Sequence, residues 1–133
     1  MLLLFLVLSC AQRAGPVPDS AALAGQPFPT RMATLQAAHD AALVPSERAG
    51  LLLLIADAYR SEDMLAEAER AYRRLLRDTP QHPDADRALA GLALTLEGLG
   101  RADEAAAVWR SLLEQHPDSP LRDSAAAALR GAG

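Results

Sequence analysis

The chain has 133 residues, half of them hydrophobic, with a formal charge of −4 and one cysteine. That is one domain's length with enough apolar residues for a packed core; the acidic balance offers no general attraction to nucleic acid or an anionic bilayer, and a single cysteine excludes an internal disulfide. Ala and Leu dominate while aromatics reach only 4%, which favours helix over sheet. All thirteen basic residues are Arg, and neither Lys nor Asn occurs, a bias that reads as genomic composition.

The first ten residues, MLLLFLVLSC, are eight apolar side chains followed by Ser9 and Cys10. Ten residues are too few to cross about 30 Å of hydrocarbon as a helix. An apolar run closing on small residues has the form of a secretory leader and cleavage site, so residues 1–9 read as a signal-peptide-like segment. Val7-Leu8-Ser9-Cys10 resembles the lipobox of bacterial lipoproteins. That resemblance implies that Cys10 is the lipidation site and the mature N-terminus, holding the protein at a membrane. Ala11 after Cys10 implies sorting to the outer membrane, at its periplasmic face. An ordinary cleaved leader with an incidental cysteine, or a buried free thiol, are the other readings. Residues 11–29 hold four of the nine prolines and two of the eight glycines. Together with Cys10 they read as a flexible tether over 10–29.

From Arg31 onward Pro occurs only at 45, 80, 83, 117 and 120, and it punctuates stretches whose apolar residues recur at three- and four-residue spacing. The expected helices are 31–43, 47–60, 63–78, 84–97, 101–115 and 120–130. Thr30, Ser46 and Ser119 are the expected caps, with Pro120 at the first position of the last helix. Gly98-Leu99-Gly100 marks a helix-to-helix turn. The helical domain is thus expected over 30–133.

Two of these stretches repeat each other. EAERAYRRLLRDTPQHP (67–83) and EAAAVWRSLLEQHPDSP (104–120) share seven of seventeen positions at an offset of 37. Extended over 66–93 against 103–130, the identities number eleven in 28. Such a period marks stacked supersecondary units. The pattern resembles the tetratricopeptide repeat family, whose unit is a helix–turn–helix. Leu52, Ile55, Ala56, Tyr59, Ala68, Tyr72, Leu75 and Pro80 carry the resemblance in the first copy. Leu89, Leu92, Ala93, Leu96, Ala105, Trp109, Leu112 and Pro117 carry it in the second. The resemblance implies an all-α short solenoid of about six antiparallel helices, with three extra residues in the Pro80–Asp86 link. Ala68 and Ala105 are expected to allow close helix approach, and Tyr72 and Trp109 to fill the space between units. Residues 31–43 then read as the second helix of a degenerate preceding unit, and 120–130 as a closing helix.

Nothing in the sequence reads as an enzyme. His39, His82 and His116 lie on separate elements without metal-ligand spacing, so neither a metal nor another cofactor is expected. His116, Asp118 and Ser119 are neighbours in sequence, but Ser119 has a use as a cap, and adjacency does not make a triad. A hydrolase resting on Ser119 and His116 is the weakest of the functional readings.

Two surfaces are candidates for binding. In the tetratricopeptide family the first helix of each unit lines a concave groove. Mapped by position, this implies Leu53, Asp57 and Arg60 from the first unit and Arg87, Leu94 and Glu97 from the second as a peptide-binding groove; ordinary surface, or packing of Leu53 on the preceding helix, is the alternative. Family members that clamp a terminal carboxylate use Lys and Asn, which this chain lacks. Arg70, Arg73, Arg74 and Arg77 form a stripe on one helix face. It reads as a solvated face partly neutralised by Glu69, or else as a dock for an acidic partner, an anionic glycan or a lipid head group; nucleic acid is not expected. The links PQHPDA and PDSPLRDSA resemble those of envelope repeat lipoproteins of the cell-division-coordinator and barrel-assembly types, and pilotin-type lipoproteins share the fold. The expected function is therefore a tethered scaffold or adaptor for a protein or peptide of the cell envelope. A self-assembling homo-oligomeric solenoid is the alternative.

Overall fold

A computed structural model describes residues 18–132; the apolar leader, Cys10 and the start of the spacer lie outside them. The described residues form seven helices and no strand: α1 (Ser20–Ala24), α2 (Phe28–Ala41), α3 (Pro45–Ser61), α4 (Leu65–Asp78), α5 (Ala85–Gly98), α6 (Ala102–Gln115) and α7 (Arg122–Gly131). From α2 on, each helix packs on the next, and α3 also touches α5. The result is a short α-solenoid. Helices α2 to α7 are the six expected ones, with boundaries displaced by no more than three residues.

The period is stricter than the sequence comparison suggested. Helices α2, α4 and α6 begin at Phe28, Leu65 and Ala102, 37 residues apart, and each runs 14 residues. The degenerate first unit therefore keeps the register of the other two. Both hairpins turn the same way. The N–H of Met64 bonds to the carbonyl of Tyr59 and that of Arg101 to Leu96, with Asp63 (φ 59°) and Gly100 (φ 75°) in the left-handed region. This is the Schellman arrangement, which satisfies carbonyls left over at a helix end.

Folded structure begins earlier than residue 30. Within the stretch read as tether, Asp19 caps α1 by accepting the Ala21 N–H at 3.0 Å. Leu23 is buried with Leu35, Leu51, Ile55 and Ala58. Phe28 opens α2 and packs its ring 6.1 Å from that of Tyr59. Pro29 sits in the first turn of α2, where a missing N–H costs nothing, so it starts a helix and does not extend a spacer.

The expected caps need similar correction. Thr30 lies inside the first turn of α2. Helix α3 is entered from Val44 with Pro45 at its first position, which leaves Ser46 within the helix. Pro120 belongs to the turn before α7. Ser119 does accept a backbone N–H, that of Leu121 at 3.0 Å, one turn ahead of the helix. At α2 and α3 proline's fixed φ, suited to the entry of a helix, displaced the start from the residue a capping hydroxyl would choose, whereas α7 starts two residues beyond its proline.

The core is built by complementary sizes at the 37-residue offset. Ala68 and Ala105 are fully buried, as are Tyr72 at 0% and Trp109 at 4% exposure. The Tyr72 ring lies against Gly91 of α5, where a Cβ would come within 2.6 Å of Cε1. One unit on, Trp109 packs in a cluster with Ala128 of α7, the residue 37 after Gly91. One unit back, Leu35 shares a cluster with Leu54. A large side chain on one unit thus faces a residue on the next that is small where the ring is wide. Such interlock sets how closely helices approach, because protein interiors are close-packed.

Candidate interaction surfaces

The polar tips of the two buried core aromatics are held by charged side chains on the first helix of each unit. Tyr72 donates its hydroxyl to an Asp57 carboxylate oxygen and accepts from Arg60 Nε at 3.3 Å. Burial, then the Asp57 carboxylate, push the Tyr72 hydroxyl well above the ordinary phenol range. Trp109 donates its indole N–H to Glu97 at 2.8 Å. Glu97 lies 37 residues after Arg60, so both units use the same position on the first helix to hold the ring of the second. Three of the six residues expected to line a groove therefore also anchor the core.

The other three divide. Leu53 is only 2% exposed and packs with Ala49, Leu92 and Ala88, so it is not a groove residue; a leucine where α3 meets α5 is worth more in the core than in water. Arg87 reaches back to Asp57 at 3.6 Å, joining α5 to α3. Leu94 is 44% exposed, the one large apolar side chain of the six that faces solvent. The structure thus brings Asp57, Arg60 and Arg87 into one chain of contacts around the Tyr72 hydroxyl. Leu94 and Glu97 extend it along α5.

The arginine stripe lies on α4 as expected, but every member has a carboxylate beside it. Arg70 pairs with Glu67 at 3.4 Å, Arg74 with Asp78 at 3.6 Å and Arg77 with Asp78 at 3.3 Å. Arg73 belongs to a closed ring of charges. It bonds Glu69 at 2.9 Å and Glu104 at 3.4 Å, and Arg101 completes the ring by bonding Glu69 at 2.8 Å and Glu104 at 2.6 Å. Hydrogen bonds from Arg101 hold the Glu104 carboxyl below its usual range. The ring ties α4 to α6 and to the turn before it, and carboxylates lie beside all four arginines of the stripe.

The histidines have separate structural settings. His82 accepts the Asp84 N–H on Nδ1 at 3.1 Å, and its Nε2 donates to the Ser46 carbonyl of α3 at 3.1 Å. Ser119 occupies the equivalent place 37 residues later, accepting from Leu121 and donating to Asp86 of α5. Each proline-rich link is thereby pinned to the first helix of its own unit. His39 is 6% exposed, and sequence reasoning gave it no role. The available signal was periodic: His39, Leu76 and Leu113 lie 37 residues apart. Among the described residues no group of three or more His, Cys, Asp and Glu side chains converges as metal ligands.

Stacked antiparallel helical hairpins, interlocked at a fixed period and presenting an uninterrupted helical surface, define a repeat solenoid. The tetratricopeptide repeat family matches at residues 51–82 and again at 87–119, which cover the α3–α4 and α5–α6 hairpins from within their first helices and most of the links that follow. The chain thus carries two tetratricopeptide repeats. No curated protein matches it.

Proposed function

We propose that this chain is a non-enzymatic protein-interaction module, tethered by a lipid on Cys10 to the periplasmic face of a bacterial outer membrane, where it serves as scaffold or adaptor for an envelope assembly. Tetratricopeptide repeats point to protein partners. The observation that carries the interaction reading is Leu94, an exposed leucine beside Glu97 on the face where Arg87 meets Asp57. An apolar centre flanked by both signs of charge suits a helical or extended peptide. The lipobox-like Val7–Cys10 supports the tether, and two or more acyl chains hold a protein stably where one does not. No helix among the described residues is long and apolar enough to cross a membrane.

Two experiments test this reading. A photocrosslinker at Leu94 should trap an envelope protein that the same group at Ser111, on α6, does not; equal trapping at both positions would remove the face. Radiolabelled palmitate should enter the full chain and not Cys10→Ala, and labelling of both would remove the anchor.

One feature favours the rival, a self-assembling solenoid. At the α6–α7 end a cavity of about 310 Å³ is lined by small side chains, including Ala102, Ala106, Ala128 and Ala132. Open ends of repeat stacks accept further units. Sedimentation of the full chain across a concentration series decides, and a single monomeric species throughout removes the rival.

A further inference from the structure

The second-helix face carries a cleft between α2 and α4 that the proposed groove does not include. Its floor is α3, through Ala49, Leu52 and Ile55. Two adjoining cavities, of about 200 and 330 Å³, share His39, Leu52 and Arg74 as lining. The equivalent seam between α4 and α6 is occupied: Leu76 and Val108 pack into it and the charge ring spans it. The α2–α4 seam has His39 in the slot of Leu76 and Leu113.

That substitution leaves a polar atom without a partner. His39 Nδ1 lies 3.2 Å from Asp40 Oδ1, and Nε2 is buried with no hydrogen-bond partner. The hydrogen bond with His39 holds the Asp40 carboxyl below its usual range. An ionised carboxylate only accepts, so Nδ1 carries a proton; in the neutral ring Nε2 is then an acceptor, buried on a side chain that lines both cavities. A buried acceptor left unpaired costs stability that a leucine in the same slot avoids. On the rim, Arg70 and Arg74 have Glu67 and Asp78. Arg48 donates to the Ala42 carbonyl at 2.8 Å and, among the described residues, has no carboxylate within 4.0 Å. Leu43, 80% exposed, forms an apolar lip at one end.

We propose that the α2–α4 cleft binds a peptide segment of a partner protein that combines an apolar side chain with an acidic one: the His39 ring turns its buried Nε2 outward to accept a peptide N–H, the acid meets Arg48, and the apolar group covers Leu52 and Leu43. Charge complementarity decides the class of occupant, since among the described residues Arg48 is a cleft cation with no carboxylate within 4.0 Å, Asp40 acting on it only from farther away. This face is opposite in role to the one bearing Leu94 and independent of the lipid anchor.

The test uses the full chain and short random peptides displayed on phage, with the selected sequences resynthesised and fluorescently labelled. Selected peptides should pair Leu or Phe with a nearby Asp or Glu. Their Kd should rise by about tenfold or more in His39→Leu and in Arg48→Gln, and stay unchanged in Leu94→Ala. His39→Leu copies the residue of the two sibling units, so its Tm should not fall, which separates lost binding from lost fold. Peptides sensitive to Leu94→Ala alone would move the site to the other face and overturn the proposal. Insensitivity to His39→Leu and Arg48→Gln, or a failure to select any peptide, would also overturn it. Concentration-dependent self-association abolished by His39→Leu would make the occupant a second copy of the chain, and would likewise overturn it.

Discussion

The seams α2–α4 and α4–α6 are built on the same 37-residue register and closed in different ways. Between α4 and α6, Leu76 and Val108 fill the space and a ring of two arginines and two glutamates spans it. Between α2 and α4 the Leu76 slot holds His39, and the Ala68 slot holds Arg31, whose guanidinium turns away to Ser61 and Glu62 at 3.4 Å. The helices keep their places because the buried side of the register survives: Leu35 stands where Tyr72 and Trp109 stand. The difference shows that one set of positions fixes where helices lie, while another decides whether the outer seam is sealed.

The largest expected effect breaks the buried set. Gly91→Ala gains about 1 kcal/mol of helix propensity. It also drives a methyl to within 2.6 Å of the Tyr72 ring and hydroxyl oxygen, and that ring is fully buried and tied to Asp57. Overpacking of this kind costs about 1–3 kcal/mol, and with so rigid a neighbour the upper end applies, so a net loss of roughly 2 kcal/mol is expected in urea unfolding. Adding Tyr72→Leu to Gly91→Ala should recover part of it, which an independent pair of sites would not do. The Tyr72 hydroxyl has its own signature. Its folded pKa is raised, so its contribution is present below the ordinary phenol value near 10 and is lost as pH rises above that. Tyr72→Phe should lack that alkaline limb.

A smaller effect compares the two links. His82→Ala removes one bond to the Asp84 N–H and one to the Ser46 carbonyl from a buried site, and is expected to cost about 2 kcal/mol. Ser119→Ala removes the corresponding pair from a half-buried site and should cost about 1 kcal/mol. Equal losses in thermal unfolding would mean that depth of burial does not grade the two pins.

Much of this was legible from residue types alone. Identities at one offset placed both hairpins, and Ala68, Tyr72, Ala105 and Trp109 read directly as core. The candidate surface was less legible because the face a residue presents depends on its neighbours. Leu53 looked like groove and is core, since α5 lies close enough to cover it. Asp57, Arg60 and Glu97 looked like free surface charges, yet each holds an aromatic from the other helix of its hairpin. The α1 turn was hidden by Pro27 and Pro29, which suggest a spacer until Leu23 and Phe28 are seen to have somewhere to pack.

A gentler change addresses the turns. Asp63 and Gly100 occupy the same left-handed position in successive hairpins, and only one of them is glycine. Asp63→Gly should raise stability by about 0.5–1 kcal/mol through relief of the αL cost, less what the freer unfolded chain returns. Gly100→Asp should lower it by a similar amount. A loss on Asp63→Gly would show that unfolded-chain entropy dominates at this turn.

The smallest effect lies in the charge ring, because its members are open to solvent and surface pairs contribute little singly. Its sign is nonetheless definite. Glu104 has a lowered folded pKa, chiefly from hydrogen bonds with Arg101, so its contribution is present above the ordinary glutamate value near 4.3 and fades as pH falls below it. Arg101→Met installs the residue found 37 positions earlier at Met64 and opens the ring, leaving the α4–α6 seam to Leu76, Val108 and the single Arg73–Glu104 pair. The acid limb of the stability curve should flatten in that variant, and added salt should flatten it in the parent while changing the variant less. If Leu76→Ala costs less than Arg101→Met, the seam is electrostatic and the contrast with α2–α4 rests on charge. The packing argument requires the reverse order, since truncating a half-buried leucine removes contacts that neither salt nor pH restores.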